Sequence, residues 1–430
     1  MKRDLGTRDL SSLAIASIIG TRWIASAARA GSGALLIWFL AAAFLAVPLA
    51  IAVARLAVRD PSAGGMYAWA RSSYGPWHGF LCFFLYWTGI VIWFPGAAMF
   101  YVSMALPSLA TNRTALVAIS LAAVWVALGF NILGVKFGKW TNHAGTLASV
   151  VLFLVLAVLA FRAWQHRGSA TPLQLLPSLD WNSVSFWATI AWAMSGMEVL
   201  GSMGAEIRDP ARTIPRAAIA ASVVTTIFYA GSTLAMLILL RPENIGELTG
   251  LSQAAATTGS RLFTIGFSVL VLLSAVGQFS GLGAAASRLP FAAGVDNLLP
   301  PAFARLHPRW GTPYVAILAM GLIATVVLVG MQLGDTALAA YQALVSLMVI
   351  TGFLPYVYVF GCAWKLGVRW SSISGWAVTA IALASSMVPS SDVTNVWGFE
   401  AKLLLGTVGT VGAAWLLFRD AQIRYHVEDR

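Results

Sequence analysis

The chain has 430 residues, of which 59% are hydrophobic and only 10% are charged, and its formal net charge is +11. Soluble domains carry about 25% charged residues, so this composition excludes an ordinary soluble domain and indicates a protein that lies in lipid. The basic residues separate apolar runs instead of forming one face or arm, which argues against nucleic acid as a partner. The two cysteines, Cys82 and Cys362, lie inside apolar segments and imply no disulfide framework.

Twelve apolar segments are long enough to cross a membrane, since a span needs about 20 mostly apolar residues. They are predicted at residues 10–30, 33–58, 76–106, 114–134, 140–163, 185–205, 217–240, 259–283, 313–333, 338–363, 373–390 and 399–418. The fold class is therefore an all-α polytopic membrane protein with twelve transmembrane helices. Residues 1–420 are predicted to form a single membrane domain, and residues 421–430 a short cytoplasmic tail.

The positions of Lys and Arg between the spans set the orientation. With the N-terminus placed in the cytoplasm, 19 of the 27 basic residues fall on the cytoplasmic side, 7 on the other side, and Arg22 within a span. This bias predicts a multi-pass protein of the cell membrane with both termini in the cytoplasm.

The first and sixth segments are each interrupted near the middle by a glycine and a charge. Gly20 is followed by Thr21 and Arg22, and Gly196 is followed two residues later by Glu198. Unwound backbone in a membrane survives only around a cavity, where half-helix N-termini attract a carboxylate and freed carbonyls attract an ammonium. Two such interruptions predict the binding site of a transporter, and the two kinds of backbone group favour an amino acid.

Arg22 needs a partner, because an arginine at the centre of a span costs about 2.5–3.5 kcal/mol even on a lenient insertion scale. Arg22 and Glu198 each lie two residues after a glycine, so an ion pair between them is one interpretation. A second is that each residue faces an aqueous vestibule separately. A third is that Arg22 binds a side chain of the substrate.

Six short motifs occur in order along the chain. They are Ile18–Ile24 (IIGTRWI), Asp60–Tyr67 (DPSAGGMY), Asn131–Lys136 (NILGVK), Trp192–Glu198 (WAMSGME), Ala205–Arg216 (AEIRDPARTIPR), and the pair Leu299–Phe303 (LPPAF) with Gly311–Pro313 (GTP). Together they resemble the motifs of the amino acid–polyamine–organocation (APC) superfamily of permeases, over nearly the whole chain.

The resemblance implies a LeuT-like fold with two inverted repeats of five helices and discontinuous helices 1 and 6. Residues 10–163 would form helices 1–5, residues 185–363 helices 6–10, and residues 373–418 the peripheral helices 11 and 12. The implied function is secondary active transport of amino acids by alternating access, as a permease or an exchanger. A transporter-fold amino acid sensor, and an exchanger of neutral or cationic amino acids or polyamines, remain alternatives.

The resemblance also implies the site residues. The expected substrate-binding residues are Ile18, Gly20, Thr21, Arg22, Trp23, Tyr86, Trp192, Ser195 and Gly196, with gating by Trp192 and coupling by Glu198. Backbone N–H groups near Thr21 and Arg22 would bind the substrate carboxylate, and carbonyls of Ile18, Trp192 and Ser195 its ammonium.

Two departures from the superfamily bear on substrate and coupling. Arg22 stands where members usually have glycine, and a second anion-binding group there favours an anionic amino acid. Ala148 and Ser149 stand where proton-coupled relatives can carry a lysine, so that route of proton coupling is not expected. Proton, sodium and exchange coupling stay open.

The rival classes lack their signatures. The five histidines are scattered without metal-ligand spacing, so an intramembrane enzyme is not expected. The sequence has no repeated filter motif of the kind that channels carry. No metal or cofactor is predicted, and the expected partners are a small-molecule amino acid and the lipid bilayer, for a monomer or a homodimer.

Overall fold

The computed structural model describes residues 6–60, 65–133, 135–198, 207, 209–333 and 336–428. The α-helices of these ranges are α1 (Thr7–Ile18), α2 (Arg22–Arg29), α3 (Ala34–Ala41), α4 (Val47–Arg59), α5 (Met66–Tyr74), α6 (Pro76–Ala105), α7 (Arg113–Leu133), α8 (Val135–Arg167), α9 (Trp181–Ser185), α10 (Trp187–Ala193), α11 (Pro210–Leu239), α12 (Gly250–Ala256), α13 (Arg261–Val295), α14 (Tyr314–Met331), α15 (Ala337–Lys365), α16 (Arg369–Ser386) and α17 (Val396–Glu428). A π-helical turn, Ala42–Ala46, joins α3 to α4 just before Pro48, which has no N–H to donate to the preceding turn.

Within the described ranges, nine helices are long and apolar enough to cross a membrane, against twelve predicted spans. The first predicted span is divided between α1 and α2, and the sixth contributes only the short helices α9 and α10. The eleventh corresponds to α16, a helix of 18 residues that includes five serines and is less apolar than the others. The protein is therefore an all-helical, multi-pass membrane protein.

The predicted interruption of the first span is confirmed. Helix α1 ends at Ile18 and α2 begins at Arg22, so Gly20 lies between two half-helices. Glycine costs about 1 kcal/mol relative to alanine inside a helix, which favours an opening at this point.

The sixth span is also interrupted where the sequence predicts. Helix α10 ends at Ala193, and Gly196 follows with a φ of +110°, a conformation that suits glycine and disfavours other residues. Residues 199–205, which the prediction assigns to the rest of this span, lie outside the described residues.

Two long helices form the centre of the molecule. Helix α6 packs along α15. In the most apolar 18-residue stretch of each helix, 89% of the residues of α6 and 78% of those of α15 are buried. Helix α11 packs against α1, α2 and α4, so it reaches both halves of the broken first span. Helix α17 is at the periphery. Only 11% of the residues in its most apolar 18-residue stretch are buried, as expected of a helix that faces lipid.

Helices α8 and α13 approach each other at a pair of glycines. A Cβ added to Gly277 would lie 2.7 Å from Gly145 Cα, closer than real Cβ atoms come to other atoms. Helices in membranes associate chiefly through such close packing of small residues. Ser149 and Ser274 hydroxyls, 2.7 Å apart, add a hydrogen bond between the same two helices.

We expect Gly277→Ala to lower the melting temperature of the detergent-solubilised protein, because the added methyl overpacks the helix contact at a cost of about 1–3 kcal/mol. Gly266→Ala on the same helix is the matched control, since a Cβ there meets no atom within 4 Å. Equal melting temperatures for the two variants would contradict close packing of α8 on α13.

Candidate functional site

A tyrosine from α11 satisfies the backbone where the first span opens. The Gly20 N–H donates to the Tyr229 hydroxyl at 2.9 Å, and that hydroxyl donates to the Ile18 carbonyl at 2.8 Å. One side chain thus replaces two of the hydrogen bonds that an unbroken helix would make. The Tyr229 ring is held in place by stacking on Trp38, with ring centroids 4.6 Å apart.

Arg22, the first residue of α2, is only 1% exposed, and its guanidinium lies between α6 and α15. Its Nε donates to the Tyr341 hydroxyl at 3.0 Å, and its Nη1 donates to the Trp93 carbonyl at 3.4 Å. The guanidinium carbon lies 4.4 Å from the Trp23 ring centroid and 5.1 Å from that of Tyr341. Gly96 provides the room, because a Cβ there would lie 3.0 Å from Nη2.

Arg22 does not pair with Glu198, so the ion-pair interpretation is wrong for this structure. Within the described ranges no carboxylate lies within 4 Å of the guanidinium, and Nη2 has no hydrogen-bond partner. The Glu198 carboxylate instead accepts from the Tyr86 hydroxyl at 3.0 Å and from the Gly196 N–H at 2.9 Å. The reason is geometric, since neutral groups of α6 and α15 hold Arg22, whereas a hydroxyl of α6 and a backbone N–H of its own turn hold Glu198.

The two charges are anchored two helical turns apart on α6. Tyr86 binds Glu198 and the Trp93 carbonyl binds Arg22, and seven residues at 1.5 Å each correspond to about 10 Å. Seven residues also return to the same side of a helix. A buried cation and a buried carboxyl group therefore face the same region from two levels of one helix.

Trp192, at the end of α10, packs on the middle of α15. Its ring lies against Gly352, where a Cβ would overlap it, and its centroid is 6.1 Å from that of Phe353. The Trp192 carbonyl accepts two hydrogen bonds from Ser195, one from the backbone N–H at 2.9 Å and one from the hydroxyl at 2.6 Å. These bonds close the turn that leads to Gly196.

A polar network lies at the Arg29 end of α2. The Glu247 carboxylate, on the loop before α12, accepts from the Ser26 hydroxyl and from the Gln342 amide, both at 2.9 Å. The same amide donates to Asp392 at 3.2 Å, and Asp392 pairs with Arg29 at 2.7 Å. The network joins α2 and α15 to two loops.

The opposite end of the molecule, at the C-terminus of α4, contains a cavity of about 720 Å³. Its polar lining comes from Asp60, Tyr67, Arg71, Ser72 and Asp296. The lining of this cavity includes no residue of the two interruptions.

The structure brings Thr21, Arg22 and Glu198 next to α6 and Trp192 next to α15. Ile18 and Gly20 contact Tyr229 of α11, and Gly196 lies against Ile18. Thr21 contributes a hydroxyl 3.4 Å from that of Tyr101, and Tyr86 reaches Glu198.

The sequence interpretation missed Tyr229, Tyr341 and Gly96, because each is an ordinary apolar-segment residue whose partner is distant in the chain. Glu206 and Arg208 of the fifth motif, Ser62–Gly64 of the second and Gly134 of the third lie outside the described residues.

The geometry defines a helical membrane protein whose first and sixth spans are interrupted beside the two central helices. The amino acid permease family matches residues 5–415. An uncharacterized transporter of Legionella pneumophila is 25% identical, with 96% of each chain covered. The serine/threonine exchanger SteT of Bacillus subtilis is 27% identical over 75% of this chain and 76% of its own, and the probable agmatine/putrescine antiporter AguD of Lactococcus lactis is 23% identical over 82% and 78%.

Among solved structures, MhsT in complex with L-phenylalanine has a TM-score of 0.60 at 16% identity, covering 97% of this chain and 100% of MhsT. This likeness shows a LeuT-like fold. The chain belongs to the amino acid permease family, within the APC superfamily, and is a transporter and not an enzyme.

We expect Tyr229→Phe to lower both the melting temperature and the transport rate, because two buried backbone groups lose their partner at a cost of about 1–3 kcal/mol. Tyr358→Phe is the matched control, since that hydroxyl contacts His78 away from the interruption. Equal effects of the two substitutions on melting temperature and on rate would contradict the bridging role of Tyr229.

Proposed function

We propose that the chain is a secondary active transporter of amino acids that works by alternating access around the interruptions at Gly20 and Gly196. Membership in the amino acid permease family supports the substrate class. The proposal includes twelve spans in a 5+5 inverted repeat with two peripheral helices, and both termini in the cytoplasm. The 19 to 7 distribution of basic residues supports this orientation.

The substrate's backbone groups are proposed to lie at the two interruptions. N–H groups near Thr21 and Arg22 bind the carboxylate, where the dipole of α2 favours negative charge. Carbonyls of Ile18, Trp192 and Ser195 are the proposed ammonium ligands. Ile18 retains one lone pair for this purpose beside its bond from Tyr229, whereas the Trp192 carbonyl already accepts two bonds from Ser195.

An anionic amino acid is the favoured substrate, and Arg22 carries this part of the proposal. A buried guanidinium without a carboxylate is costly, because removing an ion from water costs several kcal/mol that neutral dipoles repay only in part. A side-chain carboxylate of the substrate would offset that cost once Arg22 leaves its place against Gly96, where Nη2 is buried without a partner in this structure. The amino acid thus provides the countercharge that the described part of the protein does not.

The asymmetry of the two ends supports alternating access. Under the proposed orientation, the network of Glu247, Gln342, Asp392 and Arg29 closes the outer side, and the cavity beside Asp60 and Arg71 opens to the cytoplasm. We propose that the arrangement belongs to an inward-facing state, in which the cavity is the cytoplasmic entrance to the interruptions.

Counterflow in proteoliposomes preloaded with single amino acids or amines tests both parts of the proposal. We expect accumulation of labelled glutamate or aspartate by the wild type, and a loss of about tenfold or more for these substrates in Arg22→Gly, since one charge-assisted hydrogen bond is worth about 1.5–3 kcal/mol. Unchanged preference in Arg22→Gly would exclude a substrate-binding role for Arg22. Absence of flux with every amino acid and amine would favour a sensor instead.

Glu198 is the proposed coupling residue, since it is buried and bonded to the backbone of the second interruption. We expect Glu198→Gln to remove the pH dependence of transport, because the amide cannot titrate, while it can still accept from Tyr86. Glu243→Gln, at an exposed glutamate of the loop after α11, is the control. A wild-type pH profile in Glu198→Gln would contradict the coupling role.

A further inference from the structure

The guanidinium of Arg22 occupies a recess whose walls come mainly from other parts of the chain. The recess provides two oxygen acceptors, the Tyr341 hydroxyl and the Trp93 carbonyl, and two aromatic faces, those of Trp23 and Tyr341. Gly96 forms its floor, because an added Cβ would lie 3.0 to 3.3 Å from Nη2, Nη1 and the central carbon. Only Trp23 is a chain neighbour of Arg22.

Each of these groups suits a planar cation. Carbonyl and hydroxyl oxygens accept hydrogen bonds from guanidinium N–H groups, and aromatic faces attract the positive charge. The missing side chain of Gly96 lets the flat group lie directly against α6. Within the described ranges the contacts are neutral, so the recess binds the group through shape, hydrogen bonds and aromatic faces and not through an ion pair.

We infer that this recess is a guanidinium-binding subsite of the transporter that the chain fills with its own Arg22. Removal of that side chain exposes a site for small guanidinium cations. In the wild type the tethered guanidinium excludes cationic side chains from the space between α6 and α15. This consequence for substrate choice rests on the proposed function, whereas the subsite itself does not.

The test uses purified full-length Arg22→Gly and methylguanidinium as the probe, with thermal unfolding in detergent at constant ionic strength as the readout. We expect a saturable rise in melting temperature of about 2 °C at about ten times the Kd in the variant, and none in the wild type. Methylammonium has the same charge but lacks the planar set of N–H donors of a guanidinium, so it should raise the melting temperature less. The double variant Arg22→Gly with Gly96→Ala should lose the response, because the added methyl occupies the floor of the recess.

The proposal is overturned if Arg22→Gly responds no more than the wild type, if methylammonium acts equally, or if Gly96→Ala leaves the response intact. If Arg22→Gly aggregates, Arg22→Ala is measured in the same way. Recovery of monodisperse protein when methylguanidinium is present during purification supports the subsite. If methylguanidinium recovers neither variant, the result counts against the subsite. The unfolding measurement does not depend on transport. If methylguanidinium stabilises Arg22→Gly but the wild type shows no counterflow with any substrate, the proposed function is refuted and the subsite is still supported.

Discussion

The cost of unsatisfied backbone in a water-poor interior governs this structure. Opening a helix at Gly20 exposes N–H and C=O groups that each cost several kcal/mol in hydrocarbon. The Tyr229 hydroxyl both accepts from Gly20 and donates to Ile18, so the opening persists without unfolding the rest of the span. The stack of Tyr229 on Trp38 then ties the interruption to α3 through α11. A binding site can exist here because a neighbouring helix supplies the missing hydrogen bonds.

The cost of burying polar groups also bears on the positions of the two charged residues. Arg22 and Glu198 would be cheapest as a buried pair, yet each is held by neutral donors or acceptors on α6, about 10 Å apart along that helix. Holding the charges apart sacrifices stability that a direct pair would recover in part. That sacrifice is understandable if a ligand with both signs of charge completes the arrangement, as a zwitterionic amino acid does. The separation of the charges is therefore an argument about function and not only about packing.

The sequence was sufficient to predict a helical membrane protein and both interruptions, because long apolar runs and a glycine beside a charge are local signals. It could not decide the partner of Arg22. The spacing of Gly20–Arg22 and Gly196–Glu198 suggested a pair, but the actual partners, Tyr341 and the Trp93 carbonyl, are 319 and 71 residues away. Every residue has a backbone carbonyl, so the sequence cannot indicate which one accepts a hydrogen bond. A tyrosine in an apolar segment cannot be distinguished by sequence from a residue that only packs in the core. Nine of the twelve predicted spans correspond to long apolar helices of the described residues, while the first and sixth are divided into short helices and the eleventh corresponds to α16, so the count of twelve stays a prediction.

The polar network at the Arg29 end of α2 is connected to the proposed site through α2 and α15. One amide, that of Gln342, bonds to both Glu247 and Asp392, and these acids hold Ser26 and Arg29 of α2. Breaking contacts at that amide would free the half-helix that begins with Arg22 from α15 at its far end. Because Arg22 also bonds to Tyr341 on α15, the proposed ligand site and the polar network share the same two helices. Under the proposed function, a substrate that changes the contacts of Arg22 would act on the same two helices that the network joins, which is the physical link that alternating access requires.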